Sequence, residues 1–185
     1  LRALHEGPDG PLDLAQAYSD FPDGGGVPDD LPLDAQDYPH LIFAAAHRGN
    51  HDVLRYIAEQ LISIGKDPHD ADSRGITPLW IAAQQGQESC IRVLVVEIGA
   101  DLNQATNDGA TPLWIAAAEG HESCIRALIE LGGDPNQADN DGTTPCYIAA
   151  QNGHESCIRA LVECGGDLNK GQYQGATPCL IAAQY

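Results

Sequence analysis

Apolar residues along most of this chain come in short pairs of clusters separated by glycine. Leu79, Ile81, Ala82 and Ala83 form one cluster behind Thr77-Pro78. Thr is a good helix N-cap, and Pro fits the first helical turn, where its missing N–H is not needed. The cluster therefore predicts a short, small-residue helix, stopped by Gly86 in a left-handed cap. A second helix follows, with Cys90, Ile91, Val93 and Leu94 on its apolar side and Glu88 in its first turn, at the positive end of the helix dipole. Glu88 and Arg92 stand four residues apart, the order and spacing of a solvent-face ion pair. Gly99 ends this helix. Asp101-Leu102-Asn103 and Asn107-Asp108-Gly109 then predict tight turns.

The same pattern recurs. Thr-Pro stands at 77, 111, 144 and 177, in steps of 34, 33 and 33 residues. Thr77–Ala83 reads TPLWIAA, as does Thr111–Ala117, and His121–Leu128 reads HESCIRAL, as does His154–Leu161. Gly120 and Gly153 repeat Gly86, and Gly132 and Gly165 repeat Gly99. The ion pair recurs as Glu122–Arg126 and Glu155–Arg159. A fixed period of this length is the mark of a solenoid built from stacked supersecondary units.

Helix, turn, helix and hairpin loop with a period of 33 and a Thr-Pro-Leu-x-x-Ala signature resembles the ankyrin repeat. The first copy is carried by Asp72, Gly75, Thr77, Pro78, Leu79, Ala82, Ala83 and Gly86 and closed by Gly99, Ala100, Asp101 and Asn103. The second runs through Gly109, Thr111, Pro112, Leu113, Ala116, Ala117, Gly120 and His121, and the third through Asp139, Gly142, Thr144, Pro145, Ala149, Ala150, Gly153 and His154. The resemblance implies an all-α ankyrin-repeat solenoid over 39–185: a capping repeat 39–71, full repeats 72–105, 106–138 and 139–171, and a partial repeat 172–185.

Departures from the pattern carry their own expectations. The family's usual His after Thr-Pro-Leu is replaced by Trp80, Trp114, Tyr147 and Leu180, and its Leu by Cys146 and Cys179 in the later units. Gly86 to Gly99 is one step longer than Gly120 to Gly132, so one residue is inserted near Val95 or Val96. The first unit lacks Thr-Pro, and Gly49 to Gly65 is four steps longer than usual. Four residues make about one helical turn. The first outer helix should thus be a turn longer, with Val53, Leu54, Ile57, Leu61 and Ile62 inward. The sequence stops at Tyr185, after an inner helix. Half a unit leaves an apolar face open, which predicts a continuation or a covering subunit.

Residues 1–38 differ. They hold nine acids against Arg2, and Pro8, Pro11, Pro22, Pro28, Pro32 and Gly24–Gly26 break any long helix. This acidic Pro/Gly-rich arm reads either as a linker or as an ordered arm packed on the first repeat or a partner.

Charge narrows the function. The 185 residues carry 9 Lys and Arg against 27 Asp and Glu, a net charge of −18. That argues against gripping nucleic-acid phosphates or anionic lipid. No apolar run approaches the ~20 residues of a membrane span. The six cysteines follow the repeat and form no CxxC pair, so they read as reduced thiols of an intracellular compartment, the cytoplasm first. The chain does not begin with Met, which leaves an organelle interior open. His121 with Cys124 and His154 with Cys157 invite a zinc or nucleophile reading. Recurrence at one phase favours a structural position instead, with the cysteines acting as small buried hydrophobes. Asp101, Asp134 and Asp167 read as turn-satisfying residues. No phosphate loop, dinucleotide fingerprint or metalloprotease motif occurs. The reading is therefore no catalytic residue, no metal and no cofactor.

The resemblance implies a protein–protein interaction module that uses hairpin tips and the exposed side of the inner helices. In this sequence those positions include Arg74, Ile76, Trp80, Gln84 and Gln85, then Asn107, Asp108, Trp114 and Glu119, then Asn140, Asp141, Tyr147 and Gln151, and finally Tyr173. The aromatic residues among them either pack the stack or anchor a partner. The remainder are polar and mildly acidic, which suits a basic or polar protein surface. A fixed accessory or linker subunit of a larger assembly is the alternative, and the ankyrin region of a larger enzyme a third.

Overall fold

The computed structural model describes residues 38–170 and Pro178. The N-terminal arm, Tyr173 and the rest of the partial repeat lie outside the described residues. Within them the chain is helical, without strands. Four helix pairs follow one another: α1 (Tyr38–Arg48) and α2 (His51–Ser63), α3 (Pro78–Gln84) and α4 (Glu88–Arg92), α5 (Pro112–Glu119) and α6 (Glu122–Glu130), and α7 (Pro145–Gln151) and α8 (Glu155–Glu163). The first helix of each pair stacks on its counterparts to form an inner layer; the second helices form an outer layer.

Local forces explain where the inner helices begin. The hydroxyls of Thr77, Thr111 and Thr144 accept from the backbone N–H of Trp80, Trp114 and Tyr147 at 3.1, 3.1 and 3.3 Å, with Pro in the first helical turn each time. Each cap is worth ~1 kcal/mol. Where an inner helix ends, glycine is needed twice over. Gly120 caps α5 at φ +85°, and a Cβ there would lie 2.8 Å from the His154 ring.

Small residues let the inner helices approach closely: Ala44, Ala46, Ala82, Ala83, Ala116 and Ala117 have no exposed surface. Larger side chains fill the space between layers, with Leu54, Ile57, Ile91, Leu94, Ile125 and Leu128 all buried. Cys90, Cys124, Cys146 and Cys157 are free thiols in the same core.

Two outer helices depart from the others. α2 spans 13 residues where α6 and α8 span nine, a difference of about one turn. Leu61 in that added turn is buried at 1% exposure, but Ile62 is 58% exposed. The expected burial of Ile62 is therefore corrected: it lies about 100° around the helix from Leu61, on a side that no described residue covers. The residue inserted after Gly86 is taken up as a π-helical turn over Val93–Glu97, where the Ile98 N–H donates to the Val93 carbonyl at 3.2 Å. One extra residue in a helix is accommodated in this way without breaking it. Val96 bears the extra length in solvent, while Leu94 stays in the core.

Candidate functional site

Hairpin loops between the pairs are tied edge to edge. The Asn107 backbone N–H donates to the Arg74 carbonyl and its side-chain amide to the Ser73 carbonyl, both at 2.9 Å. One unit on, the Asn140 backbone N–H donates to the Asp108 carbonyl at 3.0 Å and its amide to the Asn107 carbonyl at 2.9 Å. Asn107 and Asn140 thus commit their amide donors to the stack, with their side-chain oxygens set against Gly75 and Gly109 of the preceding hairpin. Asp72 holds its own hairpin, accepting from the backbone N–H of Arg74 at 2.8 Å and Ile76 at 2.9 Å, and pairs with the Arg74 guanidinium at 2.9 Å.

The expected contact residues fall into two groups. Asn107, Asp108, Glu119, Asn140, Asp141 and Gln151 are exposed, and Arg74, Gln84, Gln85 and Trp114 are partly so. Ile76, Trp80 and Tyr147 are buried at 7, 9 and 4% exposure and pack the stack in the free chain. The Trp114 indole donates to the Thr143 carbonyl at 3.0 Å, which pins its ring to the next hairpin. The carboxylates of Asp108, Glu119 and Asp141 make no ion pair among the described residues.

On the outer-helix layer the arginines are engaged. Arg92, Arg126 and Arg159 pair with Glu88, Glu122 and Glu155 at 2.8–3.0 Å, the expected four-residue spacing. Three further pairs cross between units: Arg55–Glu97, Arg92–Glu130 and Arg126–Glu163. Hydrogen bonds from Arg55 hold the Glu97 carboxyl below its usual range. These cross-unit pairs went unread in the sequence, although the 33-residue recurrence of Glu97, Glu130 and Glu163 carried the signal.

The histidines are also stack residues. His121 and His154 place Nε2 at 2.9 Å from the Gln84 carbonyl and 3.0 Å from the Ala118 carbonyl, so each ties its unit to the inner helix before it. Their neighbours Cys124 and Cys157 are buried, and burial pushes the Cys90 thiol up to about 12 and those of Cys124 and Cys146 up to about 11. A thiol so disfavoured as thiolate is a poor nucleophile. No group of three or more His, Cys, Asp or Glu among the described residues is arranged to hold a metal ion. Asp101, Asp134 and Asp167 satisfy turn backbone, accepting from the N–H two residues on at 2.8–2.9 Å.

Stacked helix pairs joined by hydrogen-bonded hairpins, with a small-residue inner layer, define a helical-repeat scaffold. A family model for ankyrin repeats matches residues 41–139 and 131–185 of this sequence, and the chain belongs to the ankyrin repeat family. No curated protein matches it closely enough to add a relative to that assignment. Ankyrin repeats mediate protein–protein interaction and are typically non-catalytic. No helix among the described residues is long and apolar enough to cross a membrane.

Proposed function

We propose that this chain is a non-catalytic module that holds a protein partner on its hairpin tips and inner-helix side, and that the partner presents a basic or polar surface there. The observation that carries this reading is the division of charge. Outer-helix arginines are each occupied by glutamate, whereas Asp108, Glu119 and Asp141 make no ion pair among the described residues. Unpaired acids of one sign steer a basic partner and exclude acidic ones. Arg74, Gln84, Gln85, Asn107, Asn140 and Gln151 supply polar contacts around them, with Trp114 as the half-buried aromatic. Trp80, Ile76 and Tyr147 act beneath that surface, and Tyr173, outside the described residues, is the last contact residue of this reading. Buried, unpaired thiols suit a reducing compartment, cytoplasm or organelle interior.

The test uses a partner captured from native extract and identified by mass spectrometry. Reversing Asp108, Glu119 and Asp141 to Lys should slow association by roughly tenfold at low salt and flatten its salt dependence, with helicity unchanged. Trp114→Ala should chiefly raise the dissociation rate. Unaltered kinetics in the triple variant, with binding abolished at Glu122 or Arg126, would move the interface to the outer-helix face. A fixed accessory or linker subunit of a larger assembly is the second reading. A subunit of that kind would self-associate or precipitate in isolation, where a scaffold runs as a monomer on size exclusion.

A further inference from the structure

The indole Nε1 of Trp80 is a polar side-chain atom buried without a hydrogen-bond partner among the described residues. Trp80 is 9% exposed and lies on α3. Phe43 and Trp114 hold the same position on α1 and α5, which pack against α3. The site therefore lies inside the array, with a described unit on either side. Trp114 shows that the same seven-residue helix also seats its indole partly exposed, with the N–H donating at 3.0 Å. A turn of the Trp80 ring toward such a seat brings its N–H to the groove.

Gln84 stands four residues on, on the same stripe of α3. Its side-chain oxygen accepts from the Gln85 amide at 3.4 Å, and its own amide N–H groups have no acceptor among the described residues. Two spare donors on one stripe define what they take. Their Cβ atoms are about 5–6 Å apart at this spacing. Carbonyls along one edge of an extended segment recur every second residue, about 6.4–6.8 Å, which two flexible side chains span. A carboxylate would match the donors but not the field. The chain carries a net charge of −18, and the exposed Asp108 and Glu119 of the next unit make no ion pair among the described residues.

We infer that the groove takes an extended, basic segment of its partner, and that Trp80 Nε1–H and the Gln84 amide donate to two of its main-chain carbonyls. The inference deepens the groove reading and rests on it. An unpaired buried donor is a standing cost in the free chain, and an acceptor from the partner removes it. Trp114, whose N–H is already bonded, adds ring surface alone. The donor pair thus selects backbone, and the acids around it select the charge of the side chains.

The two tryptophans of the chain give two indole N–H signals in nuclear magnetic resonance of the full protein labelled with nitrogen-15. The free Trp80 proton should lie upfield of the Trp114 proton, as an unbonded donor does. The probe is the blocked tripeptide acetyl-Arg-Gly-Arg-amide. It should move the Trp80 proton downfield to saturation and leave that of Trp114 in place. Agmatine, a cation without a carbonyl, and acetylglycine, a carboxylate, should move neither. Benzothienylalanine at position 80, which is the ring without its N–H, and Gln84→Met should each weaken the tripeptide by about three- to tenfold, followed on backbone amide signals. The same analogue at position 114 should leave affinity within about twofold. A Trp80 proton already bonded in the free chain would assign its donor to the Ala110 carbonyl, the counterpart of Thr143, and overturn the inference. So would a Trp80 signal indifferent to the tripeptide, or one that answers acetylglycine. Reversing Asp108, Glu119 and Asp141 to Lys keeps the two readings apart. Weaker binding there with no effect at position 80 leaves the groove reading standing and sinks the donor pair; an effect at position 80 with none from the reversal sinks the charge reading instead.

Discussion

The second and third helix pairs open with the same seven residues, Thr77–Ala83 and Thr111–Ala117, and both threonines cap their helix at 3.1 Å. From there the two pairs diverge. The Trp114 indole is partly exposed and donates to the Thr143 carbonyl, whereas the Trp80 indole N–H is buried without a partner. The acceptors do not explain this: the carbonyls of Ala110 and Thr143 each accept from the start of their hairpin at 3.1 Å. Nor do the outer helices match, for α4 ends in a π-helical turn and α6 stays α-helical. Identical local sequence thus secures the helix and its cap, while the seat of each indole depends on the units stacked around it. A buried donor left unpaired costs about 1–3 kcal/mol, so the second unit carries a penalty that the third avoids.

Several substitutions test that contrast. The largest effects belong to Leu94→Ala and Leu128→Ala, at matching buried positions. Each should cost about 2–5 kcal/mol in urea unfolding, with Leu94 nearer the low end because its π-helical turn can relax into the space. If Leu94→Ala is the costlier, the turn is as rigid as the α-helix of the third unit.

Alkaline pH should act on both units through their thiols. Burial raises Cys90 to about 12 and Cys124 to about 11 from an ordinary 9.0. Their contribution is therefore complete below about pH 9 and declines above it, as the unfolded chain ionises first. Replacing both by Ala should flatten unfolding midpoints between pH 8.5 and 10.5, chosen as roughly bracketing the ordinary thiol range. An equally steep decline in the variant would assign it to other groups.

A smaller effect separates the indoles directly. Benzothienylalanine keeps the ring shape and removes the N–H. At position 114 it should cost about 1 kcal/mol; at position 80 it should be neutral or stabilising. Equal losses at both positions would show that Trp80 has a partner in solution.

Deleting Val96 should have the smallest effect, within about 0.5 kcal/mol, since it removes a residue that is 67% exposed. The π-helical turn would become α-helical, and Glu97 would remain opposite Arg55. Deleting Ile129, its partner in the comparison, should be far worse, because it draws Glu130 and the following turn out of register.

Much of the architecture was legible because the causes are local and repeated. Thr-Pro starts, glycine stops and Glu–Arg spacing act within one or two turns, so three copies in phase revealed the helix pairs and the family. The length of α2 followed from a four-residue surplus, and the place of the inserted residue from a surplus of one, whereas its form as a π-helical turn came only with the structure. The candidate surface was less legible. Ile76, Trp80 and Tyr147 occupy groove-phase positions, yet each is buried, since exposure depends on how far the neighbouring unit reaches.

The sequence alone therefore determined the repeat, its caps, its small-residue inner layer and the sign of its charge, all encoded in nearest-neighbour chemistry. Only the tertiary structure decided which indole finds an acceptor, that Ile62 turns outward, and that the outer-helix glutamates join arginines one unit away. Those outcomes depend on contacts between residues 29 to 42 positions apart, as in Trp114–Thr143, Arg92–Glu130 and Arg55–Glu97. Stacking sets such distances, and no single unit contains the information to fix them.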